Sequence, residues 1–271
     1  MISAEPGCSL SAAQALRNLD RLPPFSPILN RLLATLAEED VSFGRVADLI
    51  EKDTVLAGNV LRLVNSALYG LSGTVNSVRH AVAILGVNKL RNAALGMSIS
   101  RLWTQVRTPP GWSTARFNLH STATAVLADL LSQRVPVPYP EGGFVAGLLH
   151  DIGKLLAAVS EPEEPWDAET SGTGHAELSG AVLARWNLPE PIQQAALFHH
   201  APAEAAGGEI HLATLVHAAD GLANALGHSL APRPPVEEDL AAHLEPLGIR
   251  EQFAELIEQF ESEFAALREH F

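Results

Sequence analysis

The chain has 271 residues, of which 47% are hydrophobic and 18% charged, a composition that predicts a packed globular protein and excludes an intrinsically disordered one. Its net charge of −13 argues against direct binding to nucleic acid, because an acidic surface repels the phosphate backbone. A single cysteine, Cys8, excludes an internal disulfide, and no apolar run approaches about 20 residues, so we expect a cytoplasmic protein without membrane contact.

The predicted elements are almost all helical, because Ala and Leu are abundant and β-branched alternation is scarce. Short helices are predicted to begin after four capping residues: Ser26, Ser42, Asp53 and Ser77. Asn88 is predicted to open a longer helix that runs to about Trp103. Short helices joined by tight turns predict an all-α protein, with an N-terminal helical bundle packed on a second helical core.

Loops divide the chain at three places. The clearest break is T-P-P-G at residues 108–111, followed by loops at 161–174 and about 231–235. We therefore expect an N-terminal extension at 1–19, a helical subdomain at 20–108, a second subdomain at 113–230 and a C-terminal helix at 236–271. The tail at 251–268 is amphipathic and is predicted to pack on the chain's own core.

An ordered set of histidines and aspartates carries most of the functional information: His120, His150, Asp151, His175, His199, His200 and Asp220. Imidazole and carboxylate groups bind zinc, iron or manganese, and a shared aspartate can bridge two ions. His120, His199 and Asp220 fall on apolar faces of their predicted helices, where a bare carboxylate costs several kcal/mol unless it is paired or metal-bound. Polar residues on separate inward faces predict one shared metal site.

Simpler interpretations exist for individual residues. A lone inward histidine such as His120 is usually a core residue with its hydrogen bonds satisfied. His150 and Asp151 could be a solvated pair at a helix end, and His175 could simply lie in a first helical turn. The order of the whole set favours a metal site over these alternatives.

The segment at 147–154 reads G-L-L-H-D-I-G-K. Lys154 follows His150 by four residues and Asp151 by three, on one predicted helical face. It is predicted to face the Asp151 carboxylate or a substrate phosphate, with an ordinary surface lysine as the alternative. His217, three residues before Asp220, is either a supporting partner of that carboxylate or an ordinary histidine.

The ligand set resembles known metal centres. Four residues are similar to the motif of the HD superfamily of metal-dependent phosphohydrolases, which implies an all-helical fold: His120, His150, Asp151 and Asp220. Three more resemble the fuller ligand set of the HD-GYP cyclic-dinucleotide phosphodiesterases: His175, His199 and His200. The acidic residue that follows the histidine doublet in HD-GYP proteins is missing, as is their D-G-x-G-Y-P loop. Arg116 replaces a glutamate that holds a third ion in some members, so we expect two divalent ions of iron, manganese or zinc.

The N-terminal half narrows the resemblance to the HDOD family, the HD-related output domain, over about residues 20–228. The similar segments are LPPF at 22–25, EKDTVL at 51–56, LRLVNSALYG at 61–70, SVRHAVAILG at 77–86 and ARWNLP at 184–189. This resemblance implies a bacterial signalling protein, usually without demonstrated catalysis, whose HD-like metal-binding subdomain is residues 113–230. Family members often lose several ligands, whereas this chain keeps a full set.

Three functions remain open. The favoured one is a signalling output or adaptor protein, in which metal ties helices together and the N-terminal helices, for example at 65–70, contact signalling proteins. The second is a phosphohydrolase acting on a nucleotide or cyclic dinucleotide, with Asp151 shared by both ions and Lys154 steadying a phosphate oxygen as the catalytic residues. The third is a sensor that uses iron to respond to oxygen or redox state.

Overall fold

The structure is a computed structural model that describes residues 16–38, 41–66, 69, 73–160, 174–205, 210–231 and 239–269. Cys8, residues 67, 68 and 70 of the predicted partner segment, the loop at 161–173 and residues 232–235 of the third loop lie outside the described residues. Within those ranges every regular element is helical and no strand occurs, which confirms the predicted all-α fold.

The N-terminal helices are α1 (Pro27–Ala34), α2 (Phe43–Glu51), α3 (Thr54–Val64), α4 (Val78–Leu85) and α5 (Val87–Trp103). The next group is α6 (Thr114–Ser132), α7 (Gly143–Leu149), α8 (Ile152–Ser160), α9 (His175–Arg185), α10 (Glu190–Phe198) and α11 (Leu212–Ala225). A 3-10 helix at Leu240–Leu247 then leads to α12 (Phe253–Arg268).

The predicted helix starts are largely confirmed. The side chains of the four capping residues each accept a backbone N–H hydrogen bond at the start of α1, α2, α3 and α4. Helix α5 differs from the prediction, since it begins at Val87 and not at Asn88. Its N-cap is Gly86, whose φ of 83° lies in the left-handed region that glycine adopts with little strain.

The helices share one core. Buried apolar side chains from the N-terminal helices and from α6 to α12 form a continuous cluster. Helix α6 lies at its centre and is buried on nearly all sides, including the polar side chains of His120 and Thr124. The break at 108–111 falls between α5 and α6, so this core joins the helices on both sides of the predicted subdomain boundary.

One helical stretch in the described part of the chain, Pro140–Ser160, is long and apolar enough to cross a membrane by length and composition alone. However, 89% of its apolar window is buried inside the protein. Packing in the core therefore accounts for its composition.

The C-terminal helix packs on the chain's own core, as predicted from its amphipathic pattern. Leu256, Phe260 and Phe264 of α12 are buried, and the helix lies against α6. The 3-10 helix before it packs closely on α11, because a Cβ added at Gly221 would lie 2.5 Å from Nδ1 of His243.

A half-buried carboxylate, that of Asp129, links α6 to α5. Asp129 of α6 accepts hydrogen bonds from Asn92 of α5 (2.9 Å) and from Gln133 (2.9 Å). Nearby, Lys89 of α5 forms an ion pair with Glu263 of α12 at 2.7 Å. Burial, together with the negative charge of Glu263, raises the pKa of Asp129 to about 6.

Replacing Asp129 by Asn should change how stability depends on pH. Between about pH 4 and pH 6 the folded protein holds a proton on Asp129 that the unfolded chain has released, so the wild-type free energy of unfolding falls as pH rises through this window. We expect D129N to match the wild type near pH 4 and to exceed it by up to about 3 kcal/mol at pH 7.5. Urea denaturation at pH 4 and pH 7.5 measures the free energy of unfolding of both proteins. A difference in free energy that is the same at both pH values would contradict the prediction.

Candidate metal centre

The structure brings all seven predicted ligands together from five parts of the chain. His120 lies in the middle of α6, and His150 and Asp151 occupy the turn between α7 and α8. His175 is the first residue of α9, His199 and His200 directly follow α10, and Asp220 lies in α11. The inward faces predicted for His120 and His199 are observed, since both side chains are buried.

The Asp151 carboxylate lies at the centre of this cluster and is only 1% exposed. Its Oδ2 atom is 3.3 Å from Nε2 of His120 and 3.4 Å from Nε2 of His150. Its Oδ1 atom is 3.1 Å from Nε2 of His175 and 3.7 Å from Nε2 of His199. Each oxygen therefore faces a different pair of imidazole rings.

The ligands fall into two half-sites that share Asp151. In the first half-site, Oδ1 of Asp220 lies 3.3 Å from Nε2 of His120 and 3.8 Å from Nε2 of His150. In the second half-site, Nε2 of His175 lies 3.3 Å from Nε2 of His199 and 2.9 Å from Nε2 of His200. Within each half-site, three side chains offer ligand atoms that all lie within 4.8 Å of one another: His120, His150 and Asp151, and His175, His199 and His200.

Hydrogen bonds to the backbone fix the orientation of three rings. Nδ1 lies within hydrogen-bond distance of a carbonyl oxygen in each: His120 to His228 (2.9 Å), His150 to Gly147 (2.7 Å) and His199 to Ala196 (2.7 Å). A carbonyl oxygen can only accept, so Nδ1 carries the hydrogen and Nε2 of the neutral ring presents a lone pair. Histidines that bind metals are typically held by such a bond on the other ring nitrogen.

The electrostatics of the cluster fit a bound cation. Burial lowers the pKa of His150 and lowers that of His199 well below its usual range, so both rings are neutral. Nε2 of His150 is fully buried and makes no hydrogen bond within the described structure. Lone pairs and carboxylate oxygens thus face one another in a buried space, an arrangement that a divalent ion would stabilise.

Without metal, protons and Lys154 provide the positive charge. Burial opposes protonation of His120, but its hydrogen bond with Asp151 and the charge of Asp220 outweigh burial and raise its pKa. Nζ of Lys154 lies 2.5 Å from Oδ2 of Asp151, on the face that the sequence predicts. Burial would raise the pKa of Asp151, but the charge of Lys154 and the hydrogen bonds with His120 and His175 keep it well below its usual range.

The two glycines of the G-L-L-H-D-I-G-K segment allow the helices to approach closely. A Cβ added at Gly147 would lie 2.7 Å from backbone atoms of Ala125 in α6, the helix that carries His120. A Cβ added at Gly153 would lie 2.1 Å from the carbonyl oxygen of His175. These close contacts set the spacing between the ligand-bearing helices.

Several supporting residues were not identified from the sequence. The His228 carbonyl fixes His120, and Nδ2 of Asn224 donates to Asp220 at 2.7 Å. The spacing of four residues between Asp220 and Asn224 could have indicated the second contact. Nδ1 of His217 lies 2.7 Å from the backbone carbonyl oxygen of His199. This contact does not support the interpretation of His217 as a partner of Asp220, which the sequence left open.

The second half-site opens towards solvent. A cavity of about 490 Å³ lies beside it, lined by His175, His200, Phe198, Glu177 and Glu204 among others. Its described lining contains two carboxylates and no Lys or Arg, so its mouth attracts cations and repels anions.

Another groove, of about 460 Å³, lies beside α12 and is lined by Lys89 and Glu263 among others. None of the seven predicted ligands lines this groove. Of these two cavities, the one at the second half-site therefore lies beside the candidate metal centre.

Comparisons with known proteins agree with this arrangement of helices. The HDOD domain family matches residues 22–202 of the chain. A solved structure from Geobacter sulfurreducens, described as an HDOD domain protein with unknown function, is 25% identical, with a TM-score of 0.76 over 96% of this chain and 98% of that one. A candidate phosphohydrolase from Shewanella amazonensis SB2B is 24% identical, with a TM-score of 0.69 over 96% and 98% of the two chains, a likeness that shows the fold alone.

A curated relative is longer than this chain. An uncharacterised protein of Treponema pallidum (strain Nichols) is 27% identical over 220 residues. The matched region is 70% of this chain but only 39% of that protein.

Replacing Gly153 by Ala should displace α9 and with it His175. The added methyl group meets backbone atoms that cannot rotate away, so we expect a loss of roughly 2–4 kcal/mol in the free energy of unfolding. The matched control is Gly58→Ala in α3, where nothing lies within 4 Å of an added Cβ. The control should gain about 0.5–1 kcal/mol, as expected for glycine to alanine within a helix. Equal stability of G153A and the wild type in urea denaturation would contradict the close approach.

Proposed function

Because the chain belongs to the HDOD domain family, we propose that it is a bacterial signalling output or adaptor protein whose helical core binds two divalent metal ions around Asp151. His120, His150 and Asp220 would hold one ion, and His175, His199 and His200 would hold the other. Asp151 would contact both. Imidazole and carboxylate ligands suit zinc, iron or manganese.

One observation carries the metal proposal. Three buried rings are held by backbone carbonyls so that their Nε2 atoms point at a shared carboxylate and at one another. A core without metal would be expected to pair these atoms with donors, yet Nε2 of His150 has no such partner in the described structure. The ring orientations and the donor set together support a metal centre.

The surroundings of the centre favour an adaptor over an enzyme acting on phosphate esters. Glu177 and Glu204 line the cavity beside the second half-site, and Lys154 is already paired with Asp151. Residues 113–271 carry 23 Asp/Glu against 7 Lys/Arg, so an anionic substrate would approach a strongly negative part of the protein. In an adaptor, bound metal would add folding free energy without any chemistry.

The N-terminal helices are the proposed partner surface. The large apolar side chains described as exposed all lie on α2, α3 or α4: Phe43 (40%), Val55 (47%) and Ile84 (37%). These three helices pack against one another. Residues 1–112 carry 11 Lys/Arg against 8 Asp/Glu, so the proposed partner is a signalling protein that presents an acidic and apolar segment.

Added zinc or manganese should stabilise the wild-type protein. At a metal concentration about 100 times the dissociation constant, we expect roughly 2.7 kcal/mol, or about 5–10 °C in melting temperature. Asp151→Asn keeps the side-chain size but removes the shared charge, so it should lose most of this shift. His80→Ala, an exposed histidine of α4 far from the cluster in sequence, is the control and should keep it. A wild-type protein that does not respond to either metal would count against the proposal.

Phosphohydrolysis is the second candidate function. It is favoured by the cavity beside the second half-site, which would give a substrate access to His175 and His200. Bound metal would supply Lewis acidity towards a phosphoryl oxygen. Lys154 would orient a phosphate oxygen, His200 would lie at the cavity wall, and the substrate would be a nucleotide or cyclic dinucleotide.

Hydrolysis assays on manganese-loaded protein distinguish the two functions. Under the favoured proposal we expect no turnover of cyclic dinucleotides, because the carboxylates at the cavity mouth repel them. Hydrolysis whose rate falls by about 100-fold or more in Lys154→Gln, while metal binding persists, would support the enzyme hypothesis over the adaptor hypothesis. The double variant E177Q/E204Q provides a check, since removal of two negative charges should then raise kcat/KM for the anionic substrate.

A further inference from the structure

The C-terminal helix α12 reaches the metal centre through one residue, His228. The backbone carbonyl of His228 accepts the Nδ1–H hydrogen bond of His120 at 2.9 Å. On its other side, the His228 ring packs against Phe264, with 4.6 Å between ring centroids, and against Phe260 at 6.0 Å. One residue thus contacts both a predicted ligand and the helix at the end of the chain.

The chain geometry after α11 places the His228 carbonyl at this position. Gly227 has a φ of 88°, which ends α11 in the left-handed region, and the His228 N–H then donates to Ala223 at 2.9 Å. The same helix carries Asp220, which lies 3.3 Å from Nε2 of His120. Helix α11 and the turn after it therefore contact both nitrogens of the His120 ring: Asp220 lies next to Nε2, and the His228 carbonyl accepts from Nδ1.

Phe260 and Phe264 pack against the His228 ring at this turn. Their rings stack at a centroid distance of 5.2 Å, and they are only 2% and 3% exposed. The close contact between Gly221 and His243 holds α11 from a second direction, one residue after Asp220. The segment after residue 239 thus packs against α6 and α11, the helices that carry His120 and Asp220. This segment lies outside residues 22–202, which match the family.

We propose that Phe260 and Phe264 are positioning residues of the metal centre. They hold His228 so that its carbonyl fixes the His120 ring with Nε2 directed at Asp151 and Asp220. Helix α12 thereby supports metal binding in the first half-site. This inference rests on the proposed metal-binding function.

The test is zinc affinity measured on the full chain by competition with a chromophoric chelator. We expect Phe264→Ala to weaken zinc binding by about 10- to 100-fold, the usual effect of losing a group that orients a ligand. Phe264→Leu restores most of the buried volume and should recover most of the affinity. The control is Phe253→Ala, at the far end of α12 and about 16 Å away along the helix, which should bind zinc like the wild type.

A second readout separates this inference from the metal proposal. In metal-free protein, the hydrogen-bonded Nδ1–H proton of His120 should give a protected NMR resonance, assigned by its absence in His120→Gln. Phe264→Ala should lose this protection and Phe253→Ala should keep it. If the wild type binds no zinc, the metal proposal falls, and the NMR result still decides the positioning role.

Two outcomes in the Phe264→Ala protein would overturn the positioning role. One is unchanged zinc affinity in a folded Phe264→Ala protein, and the other is an unchanged Nδ1–H resonance in the same variant. If Phe264→Ala fails to fold, Phe264→Leu and Phe260→Leu take its place, with smaller losses expected in the same direction. A loss of affinity in Phe253→Ala as large as in Phe264→Ala would also overturn it, since the effect would then come from α12 as a whole.

Discussion

The Asp151 carboxylate is the constraint on which the rest of the candidate metal centre depends. A negative charge that is only 1% exposed must be compensated inside the protein, and the imidazole rings and Lys154 around it are arranged to do so. Four imidazole nitrogens face its two oxygens between 3.1 and 3.7 Å, and Lys154 contacts it directly. The helices that carry those groups come from α6 to α10, so their packing around Asp151 determines the shape of this half of the protein. A divalent ion in each half-site would satisfy the same charge from within the cluster.

Backbone contacts hold this arrangement in place. Gly147 and Gly153 let α7 and α8 approach their neighbours to distances that a side chain would prevent, and three carbonyl oxygens hold the rings in one orientation. Ligands held in advance lose little conformational entropy when an ion binds, which favours binding. The acidic cavity at His200 provides a route for cations, while its charge opposes phosphate esters. These features together suit a protein that holds metal as part of a signalling fold.

Much of this could be predicted from the sequence, because the features concerned are local or belong to side chains. Capping residues such as Ser26 and Ser77 fix helix starts through bonds made within three residues. The all-α fold followed from the abundance of Ala and Leu and the scarcity of β-branched alternation. The seven ligand candidates could be found because burying His or Asp requires a partner. The His228 carbonyl could not be found, since a backbone acceptor has no residue type that identifies it. The close contacts at Gly153 were also missed, because they join residues that come together only in the folded chain. The start of α5 at Val87 depended on the backbone conformation of Gly86. The division into subdomains and the identity of the ions stay predictions.

Metal content of the purified, tag-free protein tests the central claim most directly. Plasma mass spectrometry after reconstitution with iron, manganese or zinc and removal of unbound ions should find about two equivalents per chain, one for each half-site around Asp151. A value near one would mean that only one half-site is a metal site. A value near zero with every metal would contradict the account, and the buried histidines would then be core residues held by hydrogen bonds alone.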